Sequence, residues 1–183
     1  KTDMASYSNI RKGGLIAINL REDDSLISVM TTEGEDEILA ATRNGMGIRF
    51  SEKDVRPMGR TATGVKAISL REGDYLVSAI KMSPTAKVLN VTEKGFGKQT
   101  LPEEFKVQYR GGMGVKIHQL TEKTGLLTGV LMLEENEEIM LITSEGVIIR
   151  LRGADISTIG RVSQGVKLMN LDEGVSVVGI AKI

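Results

Sequence analysis

Gly59–Asp74 reads GRTATGVKAISLREGD, and from Gly160 to Gly174 the chain says nearly the same thing again, GRVSQGVKLMNLDEG. The internal glycine of this stretch recurs at Gly14 (GLIAINL), Gly64 (GVKAISL), Gly114 (GVKIHQL) and Gly165 (GVKLMNL), in steps of 50, 50 and 51 residues. A second marker keeps the same phase: ATRNGMGIRF around Gly45, VTEKGFGKQT around Gly95 and ITSEGVIIRL around Gly146, each glycine 19 residues before its partner. Two markers holding one register over three copies establish an internal repeat, and a repeat of this length points to a solenoid, propeller or array.

The pattern inside a unit is that of short strands. Glu37–Thr42, Val88–Thr92 and Glu138–Thr143 are brief apolar runs, each closed by a charged or polar pair and a glycine (Arg43-Asn44-Gly45, Glu93-Lys94-Gly95, Ser144-Glu145-Gly146). Further strands are expected directly after, at Met46–Phe50 and Val147–Leu151, and after the acidic turns at Tyr75–Ala79 and Val175–Ile180. Glycine in such a turn takes the positive φ that a hairpin needs. No window carries a sustained 3.6-residue apolar period with caps. The sequence therefore predicts an all-β, propeller-like array of four-stranded antiparallel blades in one repeat domain. Its units divide as 1–36 (partial), 37–86, 87–137 and 138–183.

Composition restricts the function classes. The 183 residues contain no cysteine, which removes disulfide frameworks, thiol nucleophiles and zinc–thiolate sites. No apolar run is long enough to cross a bilayer as a helix, and the opening KTDMASYSN has no signal-peptide pattern, so the expected location is the cytoplasm. His118 is the only histidine and no serine–acid arrangement recurs around it, so no catalytic constellation is read. The NGMG, KGFG and GGMG strings lead into strands and are read as turns; a phosphate loop has to open a helix. The acidic runs Glu33–Glu37 and Glu134–Glu138 lack calcium-loop spacing and are read as solvated turns. No metal site or cofactor is expected.

The charges balance at 24 basic and 24 acidic residues, but they are sorted by repeat phase. Residues 43–66, 93–116 and 144–167 hold 15 basic and 7 acidic side chains; residues 17–42, 67–92, 117–143 and 168–183 hold 6 basic and 16 acidic. In an array of equivalent units one phase occupies one height and radius. Segregation by phase thus becomes a basic band and an acidic region, and a basic band along a curved rim suits a phosphate backbone.

RKGGLIAINLREDD (Arg11–Asp24), RNGMGIRFSEKDVRPMGRTATGVKAISLREGD (Arg43–Asp74) and LITSEGVIIRLRGADISTIGRVSQGVKLMNLDEG (Leu141–Gly174) resemble the carboxy-terminal DNA-wrapping domains of DNA gyrase A subunits, and the resemblance runs from Lys1 to Ile183. It implies a β-pinwheel, a six-bladed disc whose neighbouring blades exchange strands and whose basic perimeter wraps duplex DNA without reading its sequence. It further implies a parent type II topoisomerase in which the rest of the A subunit, the B subunit, ATP and magnesium support negative supercoiling near the nucleoid. QYRGGMG (Gln108–Gly114) departs from the family's QRRGGKG box, with Tyr109 and Met113 where the box is basic. The first unit begins past its own hairpin, so an open arc with an unpaired strand edge at Lys1–Asn9 is expected. On the resemblance and the basic phase together, the candidate phosphate contacts are Arg11, Lys12, Arg43, Arg49, Arg56, Arg60, Lys66, Lys98, Arg110, Lys116, Arg150, Arg152, Arg161 and Lys167. Arg60 with Arg161, and Lys66 with Lys116 and Lys167, share phases. Two other readings stay open: the equivalent domain of topoisomerase IV, and a propeller that contacts proteins through its acidic face.

Overall fold

The computed structural model describes all 183 residues, and its regular structure is β-strand apart from four single 3₁₀ turns. Glu37–Thr42 (β1) and Met46–Ser51 (β2) form the first hairpin, with Leu76–Lys81 (β3) on the other side of β1. Lys87–Thr92 (β4) and Phe96–Thr100 (β5) repeat it, with Val115–Lys116 (β6) and Leu127–Leu133 (β7) following in the chain. Glu138–Thr143 (β8) and Ile148–Arg152 (β9) form the third hairpin, followed by Val166–Lys167 (β10) and Val177–Lys182 (β11).

The three hairpins close in the same way. Gly45, Gly95 and Gly146 lie at φ of 74°, 76° and 79° and donate to the carbonyls of Thr42, Thr92 and Thr143. The threonine hydroxyl then accepts the N–H of Met46, Phe96 or Val147 beyond the turn. Each buried threonine thus satisfies a backbone donor that the turn would otherwise leave without a partner.

The sheets run β3-β1-β2-β6, β10-β5-β4-β7 and β11-β8-β9. The outer strand on each of the first two hairpins comes from the following unit: β6 pairs with β2 and β10 with β5. The expectation of one sheet per unit is corrected in this respect, because the first two sheets cut across the unit boundaries, whereas the strand exchange expected from the resemblance is present. The third sheet has three strands, and β9 has no outer neighbour.

Cores lie between successive sheets. Leu39, Val88, Phe105, Ile117 and Leu127 fill the space between the first and second sheets, and Leu89, Val91, Leu133, Leu141 and Val177 fill that between the second and third. β4 lies between both cores and is buried nearly throughout, so its apolar run does not alternate as a half-exposed strand would.

Residues 1–36 contain no strand. Met4–Tyr7 is a 3₁₀ turn, so the edge strand expected at Lys1–Asn9 does not form. Backbone bonds such as Met58 N–H to Lys1 O and Asn19 N–H to Ala62 O hold this segment, and one buried carboxylate gathers several of its groups. Glu52, 3% exposed, accepts from Thr32 Oγ1 (2.7 Å), Gly34 N (2.7 Å) and Asp36 N (2.9 Å) and pairs with Lys1 Nζ (2.5 Å). Burial on its own raises its carboxyl pKa, but these partners together outweigh burial and hold it at about 2.

Candidate nucleic-acid interface

The basic residues follow from the repeat. In each unit a loop precedes the outer-strand segment: Gly59–Thr63, Tyr109–Met113 and Gly160–Gln164 lead into Gly-Val-Lys at Gly64, Gly114 and Gly165. In β6 and β10 the hairpin edge holds the Val-Lys pair extended, and Lys116 and Lys167 are exposed. Lys116 Nζ reaches Gln119 Oε1 at 3.1 Å, and Lys167 Nζ lies 5.9 Å from the centre of the Phe96 ring. Lys66, at the equivalent place, is exposed as well but sits on a segment that is not a strand.

The loop arginines have a second task that the sequence did not reveal. Arg60 Nη1 donates to Ile16 O (3.3 Å), Arg110 Nη1 to Lys66 O (3.0 Å), and Arg161 Nη1 to Lys116 O. Ile16, Lys66 and Lys116 occupy one repeat position, so the same bond recurs three times. Each arginine straps its loop to the outer-strand segment of the preceding unit, and the Arg110 and Arg161 straps link consecutive lysines, Lys66 to Lys116 and Lys116 to Lys167. All three arginines remain half-exposed.

The other candidates divide by what already holds them. Arg11, Lys12, Arg56 and Arg152 are exposed and enter no ion pair; Arg150 is exposed and pairs with Glu138. Arg43 pairs with Glu93 at 2.6 Å and lies over Tyr75. Arg49 donates Nε to Glu37 (2.7 Å) and Nη1 to the carbonyls of Pro102 (2.8 Å) and Phe105 (2.9 Å), which makes it a bracket between units. Lys98 needs a correction: it is fully buried, and its ammonium donates to Gly160 O (2.9 Å), Arg161 O and Ser163 Oγ (3.2 Å). Its phase matches Ile48 of the first hairpin, also fully buried, so position in the repeat sends it inward despite its charge. Burial lowers its pKa to about 8, with Glu104 opposing the shift and Arg161 adding to it. Lys98 therefore acts on the rim from beneath, by holding the loop that carries Arg161.

His118 is buried beside this group. Burial and the Lys98 charge lower its pKa to about 4 against the opposing bond to Gln164 O, so it is neutral at pH 7. Lys53, Lys94, Lys106 and Lys123 are exposed cations outside the candidate set. Lys106 shares the phase of Arg56 and was legible from it. Lys123, 5.5 Å from the Phe96 ring centre beside Lys167, lies in the acidic phase, and only the folded chain brings it to the rim.

A family model described as "DNA gyrase C-terminal domain, beta-propeller" matches residues 1–33, 36–81, 87–134 and 137–183. The chain belongs to this family. Among curated members, the DNA gyrase A subunit of Clostridium acetobutylicum is 52% identical over all 183 residues and that of Halalkalibacterium halodurans 61%. The chain spans 22% of the length of each of these proteins. Among solved structures, the C-terminal domain of a DNA topoisomerase IV superposes with TM-score 0.92 at 30% identity, covering all of this chain and 57% of that one. A DNA gyrase A C-terminal domain superposes with TM-score 0.85 at 26% identity, covering 93% of this chain and 58% of that one. Family membership and the all-β, strand-exchanging fold therefore agree with each other.

Proposed function

We propose that this chain binds and wraps duplex DNA along the rim formed by its outer strands, as a non-catalytic module of a type II topoisomerase of the gyrase class. One observation carries the reading: an exposed lysine on the outer-strand segment and a loop arginine strapped to the preceding segment recur at fixed repeat positions. Such a ladder meets phosphates at regular intervals and reads no base edges, so recognition rests on charge and on the bendability of the duplex. In the whole enzyme the wrap supports ATP-dependent negative supercoiling, together with the B subunit and the remainder of the A subunit. ATP and magnesium act outside this domain, and the working location is the bacterial cytoplasm at the nucleoid.

The test is the end-to-end distance of a doubly labelled duplex, followed by energy transfer as protein is added, for the unsubstituted chain and for the triple variant Lys66→Glu, Lys116→Glu, Lys167→Glu. The reading expects the ends to approach with the unsubstituted chain and to stay apart with the variant. Unchanged transfer for the unsubstituted chain, or equal bending by the variant, contradicts it.

A further inference from the structure

We propose that Lys94, Lys123 and Lys167 form a clamp for one phosphate group at the mouth of the second hairpin. The three side chains line a cleft of about 350 Å³ together with the largely buried Phe96 ring. Lys123 Nζ lies 5.5 Å and Lys167 Nζ 5.9 Å from the centre of that ring, within the range at which an aromatic face attracts a cation. One ring thus gathers two ammonium groups that repel each other. Neither of them has a hydrogen-bond acceptor, and Lys94 Nζ donates only to Glu122 O, which leaves two of its protons free. Asp172 and Glu173 form the other side of the cleft and pair with none of the three lysines. An anion seated among the ammonium groups ends their repulsion and takes up their free donors, and phosphate has acceptor oxygens for all three. The two carboxylates limit the cleft to a single such group, because a second would face them.

Only the second hairpin assembles this set. The N–H groups of Arg43, Glu93 and Ser144 bond Tyr75 O, Leu126 O and Ser176 O, which fixes the correspondence of the following turns. Leu70 and Leu171 stand five residues before those carbonyls and Leu120 six, so the middle turn carries one extra residue, and Lys123 enters with it. The places of Lys94 and Phe96 hold Asn44 and Met46 in the first hairpin and Glu145 and Val147 in the third. The walls of the cleft are seated on one another: Lys94 N–H bonds Thr124 O (3.3 Å), Leu168 N–H bonds Gly95 O (2.8 Å) and Val177 N–H bonds Glu93 O (2.8 Å). On the DNA-wrapping reading, on which this last step rests, the phosphate belongs to the duplex and the clamp is the tightest single contact of the rim.

The test is a double-mutant cycle on duplex affinity at fixed salt, in which every substituted side chain is exposed. Lys123→Ala is expected to weaken binding about fivefold. Lys167→Ala is expected to weaken it more than Lys116→Ala, although both lysines occupy one repeat position. Lys123→Ala with Lys167→Ala should lose less than the product of the single losses, because the first substitution already loosens the shared phosphate; Lys123→Ala with Lys116→Ala should lose the full product. Binding unchanged by Lys123→Ala, or losses that multiply in both pairs, overturns the clamp and leaves the lysine rim standing. A chain that binds no duplex contradicts the DNA-wrapping reading instead, and a titration with inorganic phosphate then decides the clamp through the backbone amide shifts of Lys94, Phe96 and Lys167. Saturable shifts that disappear in Lys123→Ala assign the clamp to free phosphate; shifts that are absent, or that survive the substitution, overturn it.

Discussion

Val65–Lys66 and Val115–Lys116 carry the same Gly-Val-Lys sequence, and only the second pair is a strand. The difference lies in their partners. Val115 sits opposite Gly47 on the first hairpin, whereas the position 69 residues before Gly64 lies ahead of Lys1, so within these 183 residues Val65 meets no hairpin. Two residues have too little propensity to hold an extended conformation alone, so the edge that receives them decides their structure. The lysine is exposed in both cases, but only a seated one is fixed in place along the rim.

The strongest way to break the comparison is to place one substitution in both contexts. Gly114→Ala puts a Cβ 2.3 Å from Gly47 O at a φ of 69° and should cost about 3 kcal/mol in denaturant unfolding, with loss of β6. Gly64→Ala meets nothing within 4 Å and should cost only about 1 kcal/mol, for its positive φ. Equal losses would mean that Gly64 is seated after all.

A second contrast is between the strand-free first 36 residues and the sheets to which they are tied. The Glu52 carboxyl is held at about 2 when folded against an ordinary value of 4.5. Its contribution is fully present above pH 4.5 and is lost as pH falls through about 2. Thermal melting between pH 7 and pH 2 should therefore be lower for Glu52→Gln at neutral pH and less steep in acid. Parallel acid profiles would show that this anchor contributes nothing.

The smallest effect sharpens the contrast between Lys98 and its counterpart Ile48. With a folded pKa of about 8 against 10.5, the unfolded chain binds more protons between these values, so this group makes stability rise with pH across that window. Lys98→Ile should flatten that rise. It should also weaken DNA binding by a few-fold, on the order of 0.5–1 kcal/mol, because the Arg161 loop loses its tether. DNA affinity that is unaltered while the pH profile flattens would confine Lys98 to a structural role.

The repeat, the hairpins and the family resemblance were legible because turn glycines and strand-length apolar runs are local signals. Strand exchange was visible only through the resemblance, since β6 and β10 pair with residues about 70 positions away. Repeat phase singled out Lys116 and Lys167, which the structure finds exposed on outer strands, and also Lys98, which it finds buried. Phase fixes whether a position faces inward, and an ammonium can follow it there when carbonyls receive it. The arginine straps were illegible because exposed rim cations and cations bonded to carbonyls look alike in a sequence. Lys123 escaped because it reaches the rim from the acidic phase.

The central claim, that the seated outer-strand lysines meet DNA phosphates, is tested most directly by the slope of log affinity against log salt for a duplex. The unsubstituted chain is compared with Lys116→Ala, Lys167→Ala and with a control double variant, Lys81→Ala, Lys182→Ala, in the inter-hairpin strands. The account predicts that the rim variant loses about two units of slope and that the control loses none. A slope unchanged in the rim variant, or lowered equally in both, would contradict it.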